Sequence, residues 1–128
     1  MGEPPAKWVD ADAVARVSGG LPGAFARLSR VFARTLPLQL VQTRALLSPP
    51  DYPKLHDAAH TLFATVAAFS TAAGERARHL QDAAVREDLP RCTDVIAELH
   101  VICHELMAEV GALAESAERV EPASTRDP

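Results

Sequence analysis

Aromatic side chains are scarce, at 5% of 128 residues, so the core has to be filled mainly by Leu, Val and Ala. Cysteine is nearly absent too, with Cys92 and Cys103 the two present. On one helix they would stand about 16 Å apart along the axis, at ~1.5 Å per residue. That separation excludes a bond between them and points to two buried free thiols in a reducing cytoplasm. No apolar run approaches the roughly 18 residues of a membrane span, and the opening MGEPPAKW has no signal-peptide pattern. No basic block gathers either. The 13 basic and 17 acidic side chains leave a net charge of −4, which disfavours a general binder of nucleic acid. Strand signals are missing: there is no alternating β-branched run and no Asn-Gly hairpin turn.

What is present is an ordinary globular composition, 48% apolar and 23% charged, rich in alanine, the best helix former. The length fits one domain, with a monomer as the default. Residues 1–8, with two prolines and a glycine, read as a tail. Asp10 is placed to cap a short helix through about Val17, with Trp8 or Val9 stapling it to the body and Ser18-Gly19-Gly20 stopping it. From about Pro22 to Leu47, the residues Phe25, Leu28, Phe32, Leu36, Leu40, Thr43 and Leu47 form one stripe at helical spacing. Pro37 falls inside it, where a kink or break is expected. Ser48-Pro49-Pro50-Asp51 is a turn, with Asp51 as the next cap and Pro53 in the first helical turn. A helix from about Tyr52 to Ser70 follows, then another from Ala72 to Arg86 with Ala73, Ala77, Leu80 and Ala84 on a narrow inner face. In the last helix Cys92, Ile96, Leu99, Cys103, Leu106, Val110 and Leu113 alternate spacings of four and three, the seam of a bundle helix that ends near Ala117. The expected fold is therefore all-α: an antiparallel up-down four-helix bundle over residues 9–117 with a short extra N-terminal helix. Residues 118–128 read as a flexible polar tail.

The most informative stretch is Leu55 to Phe69, LHDAAHTLFATVAAF. At ~100° per residue, Ala59, Leu62, Val66 and Phe69 lie within about 40° of Leu55, an apolar stripe that packs inward. His56 then falls near 100°, Ala67 near 120°, His60 near 140° and Ala64 near 180°, on the outer side, with Phe63 between the two faces at about 80°. A neutral imidazole held out on a packed helix is a good nucleophile toward a phosphoryl group, and the small Ala64 and Ala67 leave that group room. Periodicity alone still leaves His60 as one of five histidines.

The order of motifs around it adds more. Ala59-His60-Thr61-Leu62, then Ala64-Thr65-Val66-Ala67-Ala68-Phe69, then His79-Leu80-Gln81-Asp82-Ala83-Ala84-Val85-Arg86 resemble the pattern of histidine-containing phosphotransfer (HPt) domains. That pattern runs His-x-Leu-Lys-Gly, small residues, Leu or Phe with Gly-Ala, and later Leu-Glu-x-x-x-Arg. The likeness extends over roughly Val9 to Leu113 and includes the short first helix, the Gly-rich stop and the long helix with Phe32 and Thr35-Leu36-Pro37. No single motif is decisive; their order and spacing carry it.

The resemblance implies a phosphorelay carrier of two-component signalling in the cytoplasm. Such a carrier would not be an enzyme in its own right. His60 would take a phosphoryl group from the aspartate of a receiver domain, on a response regulator or a hybrid sensor histidine kinase, and hand it to another receiver. The carrier needs no cofactor; Mg²⁺ and most of the stabilising charge belong to the receiver. His56, Phe63, Ala64, Ala67 and Gln81 would form the docking surface and the phosphate's surroundings. The chain departs from the pattern twice. Phe63 stands where the family has lysine, and Ala64 where it has glycine. Arg76, Arg78 and Arg86 are the candidates to supply the missing cation. A rival reading keeps the docking and drops the chemistry: a degenerate HPt-like adaptor that binds a receiver or kinase without carrying phosphate. A third, a helical metal or redox protein, lacks ligands. His100 and His104 make only an i, i+4 pair, so no metal site is expected.

Overall fold

The computed structural model describes residues 6–19 and 21–125. They form five helices: α1 (Ala11–Ser18), α2 (Pro22–Ala45), α3 (Tyr52–Ala67), α4 (Thr71–Val85) and α5 (Leu89–Thr125). There is no strand among the described residues, only an isolated bridge between Leu47 and Pro50. The chain is all-α. No helix among the described residues is long and apolar enough to cross a membrane.

Local chemistry sets most of the boundaries. Gly19 adopts φ +59° at the end of α1, the left-handed conformation that closes a helix at little cost to glycine. Asp51 accepts the Lys54 N–H at the start of α3, and Pro53 occupies its first turn, where no N–H is needed. The hydroxyl of Ser70, fully buried, accepts the Ala73 N–H and starts α4. Asp88 accepts the Arg91 N–H at the start of α5.

Packing follows the stripes. Leu55, Ala59, Leu62, Val66 and Phe69 are at most 4% exposed. They meet Ala73, Ala77, Leu80 and Ala84 of α4 and the α5 seam of Cys92, Ile96, Leu99, Cys103, Leu106 and Val110 in one core. The chief contacts are α2 with α3 and α5, α3 with α4, and α4 with α5; α1 lies on α2. Phe69 completes the core from the α3–α4 loop, its ring tilted on Phe32 at 4.5 Å and edge-on to Phe25 at 6.1 Å. Burial pushes the Cys103 thiol up to about 12. Cys92 is raised by burial and by the Asp88 charge. Both are free and buried, and neither is a reactive thiolate.

Several expectations need correction. Asp10 makes no side-chain cap on α1. Its carboxylate accepts the Thr71 N–H of α4 at 2.8 Å, and its own N–H donates to the Phe69 carbonyl, because the fold brings the α3–α4 loop alongside. Of the kink or break expected at Pro37, the break does not occur: α2 runs continuously through it. Its ring faces solvent while Leu36 and Leu40 are buried on either side and hold the helix to the core. Leu28 lies off the buried stripe, 37% exposed, and Ser29 takes its place inside. Helix α5 continues past Ala117 to Thr125 through good helix formers such as Ala117 and Glu118. Residues 1–5 and 126–128 of the expected tails lie outside the described residues.

The N-terminal segment is tied down by two glutamates of α5. Glu109 accepts the backbone N–H groups of Lys7, Trp8 and Val9 at 2.8, 2.9 and 2.8 Å. Glu105 accepts the Trp8 indole N–H at 2.6 Å. Trp8 and Val9 pack on the core as a staple would, with charge-assisted hydrogen bonds added.

Candidate functional site

His60 stands exposed on α3, one residue from the buried Ala59. Its helix is held by Leu55, Ala59, Leu62 and Val66, so the imidazole projects from a rigid base. The neighbour across the groove is α4, and facing pairs define the register. Phe63 and Ala67 sit opposite Gly74, Phe63 opposite Arg78, and His60 opposite Gln81; His56 lines a cleft with Ala84 and Val85. Pairs move down α3 as they move up α4, so these two helices run antiparallel.

Gln81, expected beside the histidine, is there. Its Nε2 lies 3.5 Å from His60 Nδ1, contact distance rather than a short hydrogen bond. An amide turned by 180° presents Oε1 at the same place and accepts from Nδ1–H. In that arrangement Nε2 of His60 keeps its lone pair, the form a nucleophile requires.

Phe63 is half-buried and packs against the core edge. The guanidinium of Arg78 lies over its ring, 4.5 Å from the centroid, a contact worth about 0.5–1 kcal/mol at an exposed position. Glycine at 74 allows this close approach. A Cβ there would meet the Ala67 Cβ at 3.1 Å and Phe63 Cε1 at 3.3 Å. Ala64 is exposed beside His60 and Ala67 is half-buried against α4.

The expected site residues therefore divide. His60, Phe63, Ala67 and Gln81 share one α3–α4 face, and Ala64 lies exposed one turn beyond His60. His56 lies a turn below, its Nδ1 3.4 Å from Asp57 and its ring in the cleft with Tyr52 and Val85. Val85, 69% exposed, adds an apolar group there that the sequence reading passed over. Of the three arginines, Arg78 faces this side. Arg76 turns to Glu98 at 3.9 Å and to His79 at 3.4 Å, and Arg86 lines a separate cleft with Asp82 and Asp88. Arg78 and Gly74 were not separable from their neighbours by sequence, although a glycine within an alanine-rich helix is itself a sign of close approach. His104 is exposed and His100 part-buried, and no group of three or more metal-binding side chains occurs among the described residues. In comparison with known proteins, no family model, no curated protein and no solved structure matches this chain.

Proposed function

We propose that the chain is a phosphorelay carrier of two-component signalling, built as an antiparallel up-down four-helix bundle of α2 to α5 with α1 as the extra helix. The observation that carries the reading is the exposed His60, projecting from a packed helix with the Gln81 amide beside its Nδ1. The ring of contacts α2–α3–α4–α5–α2 supports the bundle. The phosphoryl donor is the aspartyl phosphate of a receiver domain. The Nε2 lone pair forms the N–P bond as the P–O bond to the carboxyl group breaks. The electron pair stays on the receiver's carboxylate, and the imidazole proton stays on Nδ1. The reverse sequence passes the group to a second receiver. Mg²⁺ and most transition-state stabilisation come with the receiver, and this chain contributes a positioned nucleophile and a docking face. The setting is the cytoplasm, and the partners are a response regulator or a hybrid sensor kinase.

The second reading, an adaptor that docks without accepting phosphate, draws on Phe63 and Ala64, which make this histidine's surroundings apolar. One experiment separates the two. Receiver domains labelled by a radioactive phosphodonor are mixed with the purified chain. Acid-labile, base-stable label on wild type but not on His60→Gln is expected. Equal labelling of the two, or receiver binding with no label on either, removes the carrier reading.

A further inference from the structure

Resting on the carrier reading, we infer that Arg78 is the phosphate-binding cation of the His60 site, delivered from α4 and held in place by the Phe63 ring. A phosphoryl group on Nε2 brings close to two negative charges to an exposed surface, and a guanidinium suits it better than any neutral neighbour because its N–H donors match phosphate oxygens in pairs. Phe63 follows His60 by three residues, and Arg78 precedes Gln81 by three. Three residues rise about 4.5 Å along a helix. The His60–Gln81 and Phe63–Arg78 pairs are therefore successive rungs of the same antiparallel ladder, less than one turn apart.

Three features mark Arg78 rather than another cation. Its guanidinium lies over the Phe63 face at 4.5 Å, and a contact with a ring face uses none of the N–H donors that a phosphate oxygen would take. No carboxylate pairs with it among the described residues, whereas Arg76 is engaged by Glu98. It is also exposed, so a docked phosphoryl donor can reach it. Gly74 matters as well, because a side chain there would crowd the ring that carries the guanidinium. Phe63 thus acts as a platform: the apolar residue beside the histidine fixes a cation that comes from the next helix. In the transfer step, as the P–O bond to the receiver's aspartate breaks and the N–P bond to Nε2 forms, Arg78 donates to the equatorial oxygens and keeps its own proton.

The test measures transfer from a phosphorylated receiver to wild type, Arg78→Ala, Arg78→Lys and Phe63→Leu. It reads the rate at saturating receiver, the half-saturating concentration and the melting temperature. Expected are a roughly tenfold slower saturated rate for Arg78→Ala, half-saturation and melting close to wild type, partial recovery with Arg78→Lys, and an intermediate rate for Phe63→Leu. Arg78→Ala within twofold of wild type overturns the inference. So does a change confined to half-saturation, which would make Arg78 a docking contact only. If wild type itself takes no label, the carrier reading falls and this inference with it, so the two failures are told apart by the wild-type result.

Discussion

Replacing Gly74 by alanine sets two effects of similar size against each other. In a helix interior alanine is favoured over glycine by about 1 kcal/mol, since glycine loses more backbone freedom on folding. Gly74 is fully enclosed in α4, so exposure of backbone to water adds nothing to that term. Against it, the new methyl would stand 3.1 Å from the Ala67 Cβ and 3.3 Å from Phe63 Cε1. The Phe63 ring can turn aside, but the Ala67 Cβ is fixed to the α3 backbone, so relief requires the two helices to separate by a few tenths of an ångström. Overpacking of this kind costs roughly 1–3 kcal/mol. The net expectation for Gly74→Ala is a loss of about 1 kcal/mol. Urea unfolding followed by circular dichroism measures it, with a lower midpoint and an unchanged slope expected. A variant more stable than wild type by about 1 kcal/mol, the full propensity gain, would show that α3 and α4 do not meet at this point, and the register that pairs His60 with Gln81 would lose its basis.

Other consequences follow from the remaining contacts. Glu109→Ala should cost about 1–2 kcal/mol by leaving the N–H groups of Lys7, Trp8 and Val9 without their carboxylate. Because Trp8 is the only tryptophan, its fluorescence should shift to the red as the segment loosens, and an unshifted spectrum would contradict the tether. Hydrogen bonds from the Thr71 side chain and backbone hold the Asp10 carboxyl below its usual value. Its contribution is therefore fully present above the unfolded value near pH 4 and is lost as pH falls through the lower folded value. Asp10→Asn should accordingly be less stable than wild type by under about 1 kcal/mol at pH 7. The gap should close in more acidic solution; a gap that widens as pH falls would refute the assignment.

Elements with strong periodicity were legible from sequence, and contacts between distant segments were not. The stripe Leu55, Ala59, Leu62, Val66, Phe69 and the α5 seam lie where a helical wheel puts them, because burial of one face decides both pattern and packing. Gly19, Asp51 and Pro53 act locally, so their roles could also be read in order along the chain. Asp10 illustrates the limit. Its local context favours a cap on α1, yet a donor 61 residues away takes the carboxylate. Glu105 and Glu109 likewise look like two more polar positions on a helix until the N-terminal segment is laid across them. At the candidate site, a helical wheel turns His60 outward, and the resemblance to HPt domains pairs it with Gln81. Choosing Arg78 over Arg76 and Arg86 needed the α3–α4 register, which depends on how three loop residues, Ala68 to Ser70, bring the second helix back. At Pro37, where a local rule predicts a kink or a break, the helix is unbroken between the buried Leu36 and Leu40.

Whether His60 carries a phosphoryl group is tested most directly by locating that group on the chain. After incubation with receiver domains phosphorylated by acetyl phosphate, the chain is examined by ³¹P NMR at neutral pH and by peptide mapping under base-stable conditions. A phosphorus signal on an imidazole nitrogen is predicted, mapping to His60, absent from His60→Gln, and lost when unphosphorylated receiver is added in excess. Phosphate on another residue, or none on a folded wild-type chain that binds the same receivers, would contradict the account.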